Sequence, residues 1–231
     1  MAKDNTPHIS VNKLGEYMVS KAARQRQILH DQKFPQDYKG MYHREAAEAI
    51  AGCLATSLED VSMLERQIRL LQQMSAPKVG TQRRINSNID ALETFSAMLD
   101  EIDLKGAVPE LGPHQGAKLK IRNVDVSIRP EIILRGKGKS VASLIGATKI
   151  HFSRTYPLNE ESAGYVSALL QEHCKARYAS EGEPHGPYCA VIDVGSKTVY
   201  AGVKSTAQRM KDIEATCRNI ADLWPSITDG D

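Results

Sequence analysis

Along the first hundred residues, hydrophobic positions recur at intervals of three and four, the spacing of one face of an α-helix. Val11, Leu14, Tyr17 and Met18 begin the pattern after Ser10, a residue type suited to cap a helix. The same run passes through a basic stretch, Lys21 to Arg26, to Ile28 and Leu29, and must end before Pro35. A second helix is predicted over Tyr42–Ala55, with Ala46, Ala49, Ile50, Cys53 and Leu54 inward. Two longer stripes follow: Val61, Leu64, Ile68 and Leu71, then Ile85, Ile89, Leu92, Phe95, Leu99 and Ile102. With a short Pro- and Gly-containing segment between them, they predict an antiparallel helical hairpin within the chain rather than a coiled coil.

Residues 105–117, KGAVPELGPHQGA, hold three glycines and two prolines without periodicity, which predicts a linker. Beyond it the period becomes two. Val124, Val126 and Ile128 alternate with Asp125, Ser127 and Arg129. After a turn at Arg135–Ser140, Ile145, Ala147, Lys149 and His151 share one strand face, with Leu144, Gly146, Thr148, Ile150 and Phe152 on the other. A helix capped by Asn159 carries Ala163, Val166, Leu170 and Cys174. A strand at 189–192, a turn at Gly195–Ser196 and a further strand lead to a last helix ending at Pro225. Its inner face is Ala207, Met210, Ile213, Cys217, Ile220 and Trp224, and Ser205 with Gln208 forms the expected capping box. The expected fold is α+β: a helical region 1–104, a linker 105–117, and an α/β region 118–231 with a small mixed sheet flanked by helices.

Charge changes the picture locally. The net charge is only +2, yet Lys118 to Lys139 holds seven Lys or Arg and two acids. Lys118, Lys120, Arg122, Arg135, Lys137 and Lys139 are therefore the candidates for contacting nucleic-acid phosphates. The four cysteines lie far apart with no CxxC pair, which predicts buried free thiols rather than a zinc site. Glu45 and Glu48 are three apart on one helix face, where an exposed acidic surface is the simpler reading than a metal site. No stretch approaches membrane-spanning length and the first ten residues lack an apolar core, so a cytoplasmic location is expected.

The order strand, strand, helix, strand, strand, helix, preceded by helices, resembles the core of the PD-(D/E)XK nuclease-like superfamily, with its restriction-endonuclease-like sheet. The resemblance covers about residues 118–204. Pro130-Glu131 stands for the proline–acid element and Ala147-Thr148-Lys149 for the (D/E)XK element, 18 residues apart from acid to lysine. It implies a nucleic-acid-processing protein, a metal-dependent hydrolase of phosphodiester bonds, with Glu131 and Lys149 as catalytic residues. Glu131 and Asp125 would hold Mg²⁺, and Asp125, Asp193 or a glutamate of an N-terminal helix would supply the missing second charge. Two carboxylates hold a hard cation that activates water, and a lysine stabilises the charge that develops. Ala147 departs from the pattern where the second acid belongs. The alternative is a non-catalytic member that binds nucleic acid or a protein partner through the basic 118–139 strand pair, and a homo-oligomer is a further candidate assembly. Val191 to Thr198 is also similar to the first phosphate loop of actin-like ATPases. A strand–turn–strand is the simpler reading, because only 38 residues follow Asp193.

Overall fold

The computed structural model of the chain describes residues 6–35, 42–138 and 143–229. Within them the chain runs β1 (His8–Ser10), α1 (Val11–Val19), α2 (Ala22–Lys33), α3 (Arg44–Ala55), α4 (Ser62–Gln73) and α5 (Val79–Ser96). It continues through β2 (Val108–Leu111), β3 (Ala117–Ile121), β4 (Val124–Ile128), β5 (Ile132–Lys137) and β6 (Ser143–His151). The last part is α6 (Glu160–Tyr178), β7 (Glu183–Pro184), β8 (Val191–Asp193), β9 (Thr198–Tyr200) and α7 (Ala207–Leu223).

The larger sheet has the order β2-β5-β6-β8-β9, with β7 pairing the start of β6. Its neighbours are antiparallel except that β6 runs parallel to both β7 and β8, because α6 returns the chain to the same end of the sheet. Both faces are covered, which divides the alternating residues of β6 between two cores. Ile145 and Ala147 join a core built with α1, α6 and α7, while Ile150 joins another built with α3, α4 and α5. The expected face assignment of this strand is thus borne out.

A smaller sheet, β1-β4-β3, buries Val124, Val126 and Ile128 in the first of these cores. The β3–β4 turn is Arg122-Asn123, both at positive φ (46° and 67°), the geometry of a two-residue turn whose twist matches the strands. Asn adopts this conformation readily and Arg does not, so the sequence gives half a signal and the turn is absent from the sequence reading. What reads as one extended run from 117 to 134 is three strands in two sheets, broken again at Arg129-Pro130.

Two further expectations change. The predicted linker contributes β2, an edge strand paired to β5, and Pro109 is tolerated there because an edge strand has one unpaired side. The first predicted helix divides at Ser20-Lys21 into α1 and α2, and Ser10 occupies the N-cap position without a side-chain bond. This segment does not belong with the other N-terminal helices: β1 pairs in parallel with β4, and α1 lies on α6. The approach is close. A Cβ on Gly15 would fall 2.7 Å from Val166 Cγ2 and 2.8 Å from the Ser162 carbonyl oxygen. The helical hairpin of α4 and α5 is present, as is the cap at Asn159, whose side chain accepts from Ser162 N. The Ser205 capping box does not form; the N-cap of α7 is Thr206, without a side-chain bond. All four cysteines are free and buried.

Candidate functional site

Continuing the β5–β6 register one step beyond Ile132 and Thr148 sets Glu131 opposite Lys149. Residues directly opposite in an antiparallel pair point to the same face, so the two charges meet. Glu131 Oε1 accepts from Lys149 Nζ, and Oε2 accepts from the Ile150 N–H at 2.7 Å. Both side chains are largely buried, 15% and 14% exposed. The second bond has a local cause. Pro130, which has no N–H, ends the β5 side of the ladder, so Ile150 just beyond takes its bonds from side chains. Glu131 receives its N–H, and Asn12 Nδ2 of α1 donates to its carbonyl at 2.9 Å.

One residue further, His151 and Asp193 are partners across the parallel β6–β8 pair, and both are buried. Asp193 Oδ2 accepts from Leu158 N at 2.7 Å and Oδ1 from Ser196 N at 3.2 Å, so this carboxylate ties down the chain after β6 and the turn after β8. His151 Nε2 bonds the Tyr156 carbonyl oxygen at 3.0 Å, which makes it the donor nitrogen. Burial pushes the His151 pKa below its ordinary value, and the Asp193 carboxylate works against that shift.

Helix α1 closes over this end of the sheet. Glu16, only 4% exposed, accepts from Lys13 Nζ at 2.6 Å and from Arg24 Nε at 2.7 Å. The Arg24 guanidinium also lies 3.5 Å from the centre of the Tyr156 ring, a cation–π contact. Asn12 and Glu16 were missed in the sequence reading, because the stripe Val11, Leu14, Tyr17 and Met18 leaves them on a flank that ordinarily faces water. Their four-residue separation, with a helix-weakening glycine beside Glu16, was the available hint of a packed polar flank.

The other sequence candidates are dispersed. Asp125 lies in the smaller sheet and pairs with Lys118 at 3.1 Å, so Glu131 and Asp125 sit in different sheets, each held by its own lysine. Each carboxylate at the end of the larger sheet, Glu131, Asp193 and Glu16, has both oxygens engaged by protein donors. Among the described residues no group of three or more His, Cys, Asp or Glu side chains is placed to hold a metal ion. Ala147 is fully buried against the α1–α6 core. Glu48 pairs with Arg44 on the exposed surface of α3, whereas Glu45 pairs with Arg84 of α5 in a half-buried contact, so only Glu48 lies on the expected exposed acidic surface.

The basic candidates divide between the two sheets. Lys118 and Lys120 project from the outer face of β3, opposite Ser127 and Asp125 of β4, and Arg122 stands at the turn, bonded to Glu214 of α7 at 2.5 Å. Arg135 belongs to β5 and bridges Glu110 at 2.8 Å and Glu181 at 2.7 Å, which raises its pKa further, and Lys137 is exposed at the end of that strand. Lys139 lies outside the described residues. Among the described residues no carboxylate pairs with Lys120 or Lys137, and no helix is long and apolar enough to cross a membrane. Comparison with known proteins finds no family model that matches the chain and no matching curated relative.

Proposed function

We propose that this chain is a nuclease-like protein of the cytoplasm that binds nucleic acid without cutting it. In this reading the β3–β4 hairpin contacts phosphates, and Glu131 and Lys149 are part of the scaffold. The observation that carries the second half is the full engagement of Glu131. One oxygen is on Lys149 and the other on the Ile150 amide, with buried Ala147 where a second acid would stand. A carboxylate so occupied has to surrender two charge-assisted bonds before it can ligate a cation. The nuclease-like half is supported by strand order: β5, β6, α6, β8, β9 and α7 follow the succession on which the resemblance rests. Phosphate contact is supported by the hairpin, which presents Lys118, Lys120, Arg122 and exposed Arg129 against two acids, Asp125 on Lys118 and Glu214 of α7 on Arg122. Phosphate contacts of this kind give affinity and position without sequence preference.

The catalytic reading has one observation in its favour: Glu131 and Lys149 do meet. The experiment that separates the two incubates the protein with labelled single- and double-stranded DNA and RNA, with and without Mg²⁺, and follows retention and fragment size together. Retention of intact strands in both conditions is expected. Mg²⁺-dependent fragments that disappear in Lys149→Ala would replace the binding reading with the catalytic one.

A further inference from the structure

The loops that leave the adjacent parallel strands β6 and β8 do not close on each other completely. Between them and the outer helices lies a cavity of about 250 Å³, lined by His43, Ser87, Asp90, Ala91 and Thr94 on one side and by 152–155 with Val194 and Gly195 on the other. Crevices beyond the carboxyl ends of parallel strands are where open α/β sheets place their ligands. The floor is firmly made: a Cβ on Gly195 would fall 2.6 Å from the Ser153 carbonyl oxygen, so the two loops touch through backbone.

The lining mixes three chemistries. Phe152 supplies an aromatic wall, stacked on His43 with ring centres 4.9 Å apart and planes 13° from parallel. Four hydroxyl-bearing residues, Ser87, Thr94, Ser153 and Thr155, surround the space, and the buried Nδ1 of His43 has no hydrogen-bond partner. Buried polar atoms ordinarily have one, so this nitrogen keeps an unused hydrogen-bonding capacity. At the mouth, exposed Arg154 reaches Asp90 Oδ2 and Thr94 Oγ1 only at 3.4 Å each, a loose and solvent-screened arrangement that a stronger acceptor can displace. An apolar ligand would strand the hydroxyls, and a bare anion would leave the aromatic wall unused. The volume is below the range of roughly 300–1,000 Å³ usual for drug-sized ligands, which suits one small planar ring.

We propose that this cavity takes a single unstacked nucleotide, with the base in the chamber beside Phe152 and His43 and the phosphate at the mouth on Arg154. The proposal rests on the nucleic-acid reading above and adds to it a second point of contact, on the opposite face of the larger sheet from Glu131 and Lys149. Bases splayed out of a strand are commonly held by aromatic stacking with a cation on the adjoining phosphate. Burial, with Arg154 and His151 adding to it, lowers the His43 pKa, so the ring is neutral at pH 7 and can accept or donate a hydrogen bond.

Titration calorimetry with the 5′-monophosphates of adenosine, guanosine, cytidine and uridine tests it, with ribose 5-phosphate and inorganic phosphate as controls. One nucleotide per chain is expected, with ribose 5-phosphate and phosphate bound at least tenfold more weakly. Arg154→Ala, at an exposed position, should weaken the nucleotide by roughly ten- to a hundredfold, the range of a charge-assisted bond. Phe152→Leu, checked for an unchanged melting profile, should weaken it about tenfold through lost stacking. No binding of any mononucleotide, equal binding of ribose 5-phosphate, or affinities untouched by Arg154→Ala would overturn the proposal. Long strands that bind while mononucleotides do not would leave the nucleic-acid reading standing without this cavity. Mononucleotides that bind while long strands do not would reverse the two.

Discussion

The contact between Glu131 and Lys149 makes a sharp prediction, because scaffold and catalytic roles respond in opposite ways to the same changes. Glu131→Gln keeps the shape and an oxygen able to accept the Ile150 N–H, but leaves Lys149 as a largely buried ammonium without its counter-charge. Lys149→Met keeps the aliphatic stem and leaves the Glu131 carboxylate unpaired. Removing one partner of a buried ion pair costs about 3–5 kcal/mol. With about 15% of each side chain still open to solvent, the lower end of that range, about 3 kcal/mol, is expected for each single change. At about 2–4 °C of melting temperature per kcal/mol for a chain of this size, each single variant should melt about 6–12 °C below the wild type. The double variant, with no stranded charge, should recover more than half of the loss, since a well-packed neutral pair is often as stable as the ion pair it replaces. Urea titration of all four proteins completes the cycle and gives the coupling directly. Singles that melt within about 1 °C of the wild type would refute the reasoning.

Other consequences follow from the same arrangement. Glu16→Ala strands Arg24 and Lys13 against α1 and should cost about 2–4 kcal/mol, seen as an earlier urea midpoint, while Glu48→Ala on the exposed α3 pair should change stability by less than about 0.5 kcal/mol. Gly15→Ala gains helix propensity of about 1 kcal/mol but drives a methyl into Val166 and the Ser162 carbonyl; a net loss of about 1–3 kcal/mol in the same assay is expected. Burial lowers the pKa of His43, His151 and His173, so the unfolded chain takes up protons that the folded chain refuses. Their contribution to stability is full above the unfolded value near 6.5 and is lost as pH falls below it, by up to about 1.4 kcal/mol per pH unit for each ring; melting temperatures measured from pH 7.5 to 5 should decline, and a flat profile would contradict the burial.

The parts of this structure that the sequence announces are those where one physical cause acts alone. The α4–α5 hairpin rests on uninterrupted three–four spacing, and the two faces of β6 on strict alternation. Asn159 before Glu160 and Glu161 is a helix start by chemistry. The pairing of Glu131 with Lys149 was also within reach, because a proline–acid step before a strand and a lysine in the next strand fix which positions can face each other. Where two causes compete, sequence is silent. Val108 to Leu111 forms an edge strand despite Pro109 and the glycines around it, since the ladder with β5 outweighs local preference. Arg122-Asn123 makes a tight turn with one unsuitable residue, supported by pairing on both sides and by the bond from Arg122 to Glu214. Asn12 and Glu16 become site residues only because α1 lies on α6 and the end of β6, a contact between segments more than a hundred residues apart that no local window contains.

The proposed phosphate-contacting surface is the β3–β4 hairpin, and that proposal can be measured. The affinity of a fluorescent 20-base-pair DNA should be followed by anisotropy from 50 to 200 mM salt for the wild type and for Lys118→Ala/Lys120→Ala/Arg122→Ala. With four phosphate contacts, from Lys118, Lys120, Arg122 and Arg129, log K should fall with log salt at a slope of about 3.6, about a 150-fold loss over that range. The triple variant should bind weakly with a slope of about 0.9, whereas Lys137→Ala in the other sheet should lower the slope by less than one contact's worth, about 0.9. A wild type that does not bind at 50 mM salt, or a triple variant with the wild-type slope, would contradict the account.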